Sequence, residues 1–466
     1  MQYTEDGKVL INTLFVIGRM KTMASNKRLS ISIAYVIAIL VIGFKLTSWC
    51  SAEKAPCIAT PKKKVVWLNV FVHGIMSIKP HLSWSNFVLF MKDKVEGTLY
   101  EKTVELMRED PFFYKNQAMY QLGFHAIDPS LTEGNSCASL AFIMNKIGHH
   151  YDVTPHENKY YTFGWSGLLS AKNRYRESKK LFKKLSKEVE QLKAEGYAPR
   201  VRIFGYSHGG NVSLNLAKVK QKEYQKSTLS IDELVLLGSP IIRDTDYLIN
   251  DPLFKEVYNL YSLRDRVQPL DIFAPKQTIS KRLFRPRKDF TLPDKLVQIQ
   301  LKVTRCKRGA CKDPIKFEKS KDYSKRKIVY GKGGLLRDIS PGHMELWFFG
   351  WTPVHYRPNF PLNPLPTVAF APPIMYHARK IAQSIQPERS IVADIRPEHN
   401  VILFRRQGHH SIHSTVPFLS EAKLKELHDS IYSCKPKLYD QRIYDEHIKD
   451  AVGSAREALS ISRSTE

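Results

Sequence analysis

The chain has 466 residues, 43% hydrophobic and 25% charged, an ordinary globular balance with room for one elaborated domain or two. Its charge is one-sided: 72 Lys and Arg against 45 Asp and Glu leave +27, which favours anionic partners. No RNA-binding sheet signature, zinc-finger spacing or basic heptad region accompanies that charge, so no nucleic-acid partner is expected, and the six cysteines include no C-x-x-C pair to suggest zinc.

Arg19, Lys21, Lys27 and Arg28 precede the apolar run I-S-I-A-Y-V-I-A-I-L-V-I-G-F at residues 31–44, which Lys45 closes. A charged segment followed by an apolar one reads as a signal sequence. Extended through Trp49, it approaches the length of a membrane span, about 20 residues. No small-x-small cleavage site follows. Residues 1–50 are therefore expected to be an uncleaved transmembrane signal anchor, with a cleaved signal as the alternative and a buried core helix as the bland reading. The excess of basic residues on the N-terminal side places the body outside the cytoplasm. Residues 51–64 are a polar linker containing Pro and Lys. Cys50 with Cys57, and Cys306 with Cys311, could each close a local disulfide in an exported protein; free thiols are the alternative.

The globular part opens at residues 65–72, V-V-W-L-N-V-F-V, an apolar run suited to a parallel strand covered on both faces. His73, Gly74, Ile75 and Met76 follow it directly. His73 reads as a hydrogen-bonded structural histidine; Gly74 is small where backbone must approach a ligand. Helical patches at 87–91, 99–107 and 135–147 lie in a connection long enough to hold a cap within residues 80–151. His125, His149 and His150 read as structural or surface. A short strand at 160–163 leads into Gly164-Trp165-Ser166-Gly167. A helix over 171–195 follows, with a stripe of Leu181, Leu185, Val189 and Leu192, a lysine-rich wet face, and Gly196 as its stop.

Residues 201–217 read V-R-I-F-G-Y-S-H-G-G-N-V-S-L-N-L-A. Val201, Ile203 and Phe204 are strand-like; Val212, Leu216 and Val219 recur at helical spacing. Between them Gly205-Tyr206-Ser207-His208-Gly209 fits a nucleophile elbow, whose sharp turn needs small residues two positions either side of the serine. The turn sets Ser207 at a helix N-terminus, where free N–H groups favour a developing oxyanion. Chance occurrence of so short a pattern is the bland alternative, and the strand and helix around it argue against chance.

Strand, helix and strand continue to alternate, which predicts an α/β fold with a mostly parallel sheet flanked by helices. A strand at 233–237 ends in Gly238-Ser239-Pro240. A strand at 257–262 ends in Leu263-Arg264-Asp265-Arg266, which sets Asp265 in a loop; pairing with Arg264 or Arg266 is its bland reading. Residues 296–303 alternate apolar and polar, as a half-exposed edge strand would. A very basic insertion, residues 305–327, follows, within a wider basic stretch of residues 276–327. Asp338-Ile339-Ser340-Pro341-Gly342-His343-Met344-Glu345-Leu346 then sets His343 at the start of a helical run. His410 and His413, after a later strand at 401–405, are its rivals, and Asp244, Asp246 and Asp271 are rivals of Asp265. Residues 352–373 read as an extended wrapping segment, 374–384 and 420–430 as helices, and 390–395 with 401–405 as a hairpin. Residues 351–453 form a C-terminal extension on the 65–350 domain, and the polar stretch 454–466 is expected to be loose.

These residues together resemble the lipase and esterase side of the α/β-hydrolase superfamily. The resemblance rests on His73-Gly74, Gly205–Gly210, Gly238-Ser239-Pro240, Asp265 and His343, and covers about residues 65–349. It implies the α/β-hydrolase fold, with a triad in the chain order Ser207, Asp265, His343. It also implies an oxyanion hole from the N–H of His208 and of the early loop at Gly74 and Ile75, and ester hydrolysis with no metal or cofactor. An acyl ester or lipid at an anionic membrane surface is the substrate suggested by the charge, with a solvated basic surface as the bland alternative. The long basic insertion and the tail depart from the family pattern. Acyl transfer through the same acyl-enzyme, and a non-catalytic relative that binds membranes or a partner, are the rival functions.

Overall fold

The run V-V-W-L-N-V-F-V becomes β1 (Val65–Val72), buried at every position but Val65. A strand without polar alternation needs cover on both faces, and parallel neighbours flank it on each side. The computed structural model describes residues 63–76, 93–151, 157–270, 280–306, 336–351, 356–357, 359–384 and 389–464, and Lys63–Glu466 make one compact unit.

In chain order the other strands are β2 (Gly123–Ile127), β3 (Glu157–Gly164), β4 (Ala198–Tyr206), β5 (Ile231–Leu237), β6 (Phe254–Tyr261), β7 (Leu296–Cys306), β8 (Leu336–Asp338), β9 (Ser390–Arg396), β10 (Val401–Arg406) and β11 (Ser414–Pro417). The helices are α1 (Leu99–Glu109), α2 (Ser136–His150), α3 (Ala171–Ala194), α4 (His208–Glu223), α5 (His343–Trp347), α6 (Ala371–Ser384), α7 (Glu421–Ser433) and α8 (Gln441–Ser464). One sheet runs in the order β11-β10-β9-β7-β6-β5-β4-β1-β3-β2, and β8 pairs with β7 beside that path. From β3 to β9 neighbouring strands are parallel. Antiparallel β2 closes one edge, and the hairpin β9–β10 with β11 closes the other. The architecture is thus α/β, with a mostly parallel sheet flanked by helices.

Helices cover both faces. On one, α3 and α4 bury Leu181, Leu185, Val189, Val212 and Leu216 against Val66, Leu68, Val70 and Val72 of β1. On the other, α2, α6 and α7 bury Ile143, Ile374 and Ile431 in the cluster that holds Phe71 and Phe204. α3 illustrates the energetics. Its stripe of Leu181, Leu185, Val189 and Leu192 is buried, worth on the order of 6–12 kcal/mol. Repulsion between its exposed lysines costs only a few tenths of a kcal/mol per pair, so burial decides. The Ser170 hydroxyl caps its start by accepting from Asn173 N–H at 3.1 Å, and Gly196 turns the chain at φ +89.

The connections fix where a site belongs. The chain leaves β1 through α2 to reach β3 on one side, then crosses by α3 to β4 on the other side of β1. The strand order therefore reverses between β1 and β4, and a crevice opens outside the C-terminal ends of strands at such a switch point.

Several expectations need correction. The transmembrane anchor is one: among the described residues no helix is long and apolar enough to cross a membrane. The two longest, α3 and α8, each carry a charged face, and residues 31–44 lie outside the described residues. β7 is not an edge strand. It lies between β6 and β9, and its polar Gln298 is buried because its side chain accepts from Phe284 N–H at 2.8 Å. The stretch from residue 454 is not loose but continues α8, because Tyr444, Ile448, Ala451 and Ala455 recur at helical spacing and pack on the core, with Ala455 fully buried. α6 begins at Ala371, three residues before its expected start, with Pro372 and Pro373 in the first turn, where a missing N–H costs nothing. Cys50, Cys57, Cys311, the helical patch at 87–91 and most of the basic insertion lie outside the described residues.

Candidate active site

At the end of β4 the chain turns into α4 through Ser207, which holds φ +50 and ψ −129. A serine at positive φ stores roughly 1–3 kcal/mol of strain and persists only where its surroundings fix it. Here its N–H donates to Leu237 C=O at 2.9 Å and its C=O accepts from Gly210 N–H at 3.0 Å. The flanking glycines are steric necessities. A Cβ on Gly209 would lie 2.3 Å from Val72 O and 2.4 Å from His73 O, and one on Gly205 would lie 2.7 Å from Gly210 Cα. The first turn of α4 thus rides directly over the end of β1.

Asp265 follows β6, two strands from β4 with β5 between them, and is fully buried. Its Oδ1 accepts from the N–H of Val267 at 2.9 Å and of Gln268 at 3.0 Å. Its Oδ2 stands 2.7 Å from Nδ1 of His343, the first residue of α5. Burial by itself would raise the carboxyl's pKa. The facing His343, its hydrogen bond and the two backbone N–H groups outweigh that and hold it below the ordinary value. The loop is steadied from outside by Arg282, which donates to Asp265 C=O from Nη2 at 2.6 Å. A Cβ on Gly238, at the end of β5, would come within 2.9 Å of Asp265 Oδ2 and 3.3 Å of His343 Nδ1, so that glycine clears the space for the pair.

Tyr206, the residue before the serine, links the elbow to the histidine. Its ring lies 4.8 Å from the His343 ring and stacks on Trp347 at 5.2 Å, and its hydroxyl donates to His343 C=O at 3.1 Å. Burial first, then the fields of Asp265 and Glu345, keep that phenol protonated well past its usual range.

Two residues that no sequence motif marked hold the histidine loop. Glu345 is buried, and its Oε2 accepts from Gly342 N–H at 2.8 Å. Its Oε1 accepts from Arg357 N–H at 3.0 Å and from Arg357 Nε at 2.9 Å. Arg357 Nη2 in turn donates to Ser340 C=O at 2.6 Å. The ion pair therefore ties both ends of residues 340–345 together. The available signal was a buried-spaced glutamate two residues after the histidine, but its partner lies 12 residues further on, in a stretch with no regular pattern.

The residues expected to form the oxyanion hole lie at the end of β1 and the start of α4. His73 is structural, as expected. Its Nδ1 is 2.7 Å from Gly74 O and its Nε2 accepts from Trp165 N–H at 3.2 Å, which makes it a neutral ring protonated on Nδ1. Burial, aided by Arg108, lowers its pKa well below normal. A Cβ on Gly74 would stand 2.9 Å from Ser207 Cβ, so this loop borders the serine. Met76 N–H is engaged with Gly167 C=O at 3.2 Å. His208 opens α4, so its amide lies at the helix's positive end.

The rival residues sit elsewhere. His410 is exposed, and His413 Nε2 meets Ser384 Oγ at 3.2 Å. Asp246 is paired with Arg287, and Asp271 lies outside the described residues. Among the described residues no group of three or more His, Cys, Asp or Glu side chains is arranged to hold a metal. No family model matches the chain, and no curated protein matches it.

Proposed function

We propose that the chain is a serine hydrolase of the α/β-hydrolase type that cleaves carboxylic esters through Ser207, His343 and Asp265. The observation that carries this reading is the 2.7 Å Asp265–His343 contact, beside a serine held at φ +50 on the strand-to-helix turn of the switch point.

In this mechanism Nε2 of His343 takes the hydroxyl proton as Ser207 Oγ bonds to the ester carbonyl carbon. Asp265 accepts the Nδ1–H, fixes the tautomer that leaves Nε2 free, and stabilises the imidazolium; its depressed pKa keeps it ionised for that task. The carbonyl oxygen gains negative charge and rests on the N–H groups of His208 and Ile75, with Gly74 leaving room for close approach. The tetrahedral intermediate collapses, the ester C–O bond breaks, and the leaving alkoxide takes the proton from His343. Water then repeats the sequence on the acyl-enzyme and frees the acid.

A fluorophosphonate probe tests this on the full chain. Covalent labelling of the wild type that is lost in Ser207→Ala is expected. An unlabelled wild type that is folded by circular dichroism would remove the activated serine and with it the hydrolase reading.

A further inference from the structure

Arg108, near the C-terminus of α1, carries a charge that the mechanism above does not use. The residue is 4% exposed. Its Nη2 donates to Tyr120 C=O at 2.5 Å, but among the described residues Nη1 faces only two thioethers, Met119 Sδ at 3.4 Å and Met76 Sδ at 4.0 Å. Among the described residues Nε has no acceptor. A thioether accepts hydrogen bonds weakly, and a guanidinium has five donors to satisfy. The Tyr114 ring lies 5.0 Å from the guanidinium carbon and adds a face, not an acceptor. Glu177 is the carboxylate whose field is felt, and it is bonded to Lys180 at 2.9 Å. Residues 77–92, which continue the chain from Met76, contain no Asp or Glu. Burial lowers the guanidinium pKa to about 10, which still leaves it charged at neutral pH.

A buried cation without a counter-charge is costly to maintain, and such an unsatisfied group calls for a reason. Its position supplies one. Met76 is the last residue of the His73–Met76 loop, two residues after the glycine that borders Ser207. Ile75 and Met76 pack together on the cluster of Val95, Tyr100, Val104 and Leu168. Met76 is only half-buried, and its flexible thioether is the more distant of the two that face Nη1, at 4.0 Å. The charge is also felt at the end of β1, where it helps to hold His73 neutral.

We propose that Arg108 binds an anionic oxygen group, a carboxylate or a phosphate, carried on the ester that Ser207 attacks. This rests on the hydrolase reading and narrows it to anionic esters. The planar fork of a guanidinium suits either group. When such a substrate enters, the Met76 thioether moves aside and an anionic oxygen replaces it as the acceptor for Nη1.

The test compares wild type, Arg108→Met and Arg108→Lys on three esters: the mono-4-nitrophenyl ester of glutaric acid, 4-nitrophenyl hexanoate as its neutral counterpart, and a 4-nitrophenyl acyl ester bearing a terminal phosphate. Wild type is expected to favour at least one anionic ester over the neutral one by about tenfold or more in kcat/KM, with the difference in KM. That ratio should fall toward one in Arg108→Met and be partly kept in Arg108→Lys; the ester preferred tells carboxylate from phosphate. Equal rates on all three in wild type, or a ratio unchanged by either substitution in folded protein, would overturn the proposal. Melting temperatures in glutarate and in inorganic phosphate give a readout that does not depend on turnover. An anion-dependent rise in wild type that is lost in Arg108→Met and partly kept in Arg108→Lys supports the site even if the fluorophosphonate test fails, and a rise unchanged in both refutes it.

Discussion

Replacing Asp265 by Asn separates the orientation of His343 from the packing around it. Oδ1 of Asp265 is locked by the N–H groups of Val267 and Gln268 at 2.9 and 3.0 Å, so the new amide nitrogen must take the place of Oδ2, 2.7 Å from His343 Nδ1. An amide nitrogen cannot accept a proton, so the ring would shift its proton to Nε2, where it can no longer take one from Ser207. Flipping the amide would set its NH2 against two backbone donors and leave both unsatisfied, at about 1–3 kcal/mol each. The wrong tautomer is therefore the cheaper outcome. The expected loss is roughly a thousand- to ten-thousand-fold in kcat, or about 4–5.5 kcal/mol of barrier. Stability should fall by no more than about 1.5–3 kcal/mol, one hydrogen bond to a charged group. Ester turnover and the fluorophosphonate labelling rate, measured beside denaturant unfolding, give both numbers. A variant within tenfold of wild type in kcat would refute the assigned role of Asp265. The same pair gives a pH test. The folded carboxyl lies below its unfolded value of about 4, so its stabilisation is complete above that pH and is lost as pH falls through the folded pKa. The amide of the Asp265→Asn variant takes up no such proton, and the difference in stability between the two proteins should shrink as the pH drops below about 4.

Glu345→Gln is expected to lower kcat by about ten- to a hundredfold at nearly constant KM, the scale of loss for a misplacement of about 1 Å, because the Gly342 and Arg357 bonds around His343 loosen. Arg357→Lys should recover more activity than Arg357→Met, and equal kcat in all of these variants would show that the clamp plays no part. Gly209→Ala places a methyl within 2.4 Å of two carbonyl oxygens and should cost at least about 1–3 kcal/mol, read as a lower denaturant midpoint; an unchanged midpoint would mean that α4 does not sit on β1 as described.

The local chemistry of the site was legible in the sequence because each part is contiguous. The elbow at Ser207 lies within a short run of strand, turn and helix, Asp265 follows an apolar strand, and His343 opens a short helix. Parallel strands read as unbroken apolar runs, so β1, β4, β5 and β6 were visible. β7 was misplaced because its alternation looks like an exposed edge, whereas that edge is paired along Gln298–Val303 with β9, a strand contributed far later in the chain. Periodicity within one segment carries no information about a neighbour so distant. The tail failed for a related reason: its apolar residues are sparse enough to look polar, and only α1 and the core beneath it make them an interface. Glu345–Arg357 and Arg108 were invisible because ordinary charged residues acquire their roles only through burial and partners.

The placement of β9 between β7 and the closing hairpin has a consequence for synthesis. The histidine loop hangs from the end of β7, where Ile339 N–H donates to Val303 C=O at 2.9 Å. When β7 leaves the ribosome its outer edge is bare, and β9 is still roughly 90 residues from being made. At about 5–20 residues per second that edge waits roughly 4–18 s for its partner. During this interval the nascent chain already holds Ser207, Asp265 and the lysines of α3, yet it exposes a parallel edge able to pair with any extended strand nearby. Completion of the sheet beside the Asp265–His343 pair is thereby held to the last stage of translation, and a ribosome stalled before residue 390 would carry an adhesive intermediate rather than a smaller folded protein.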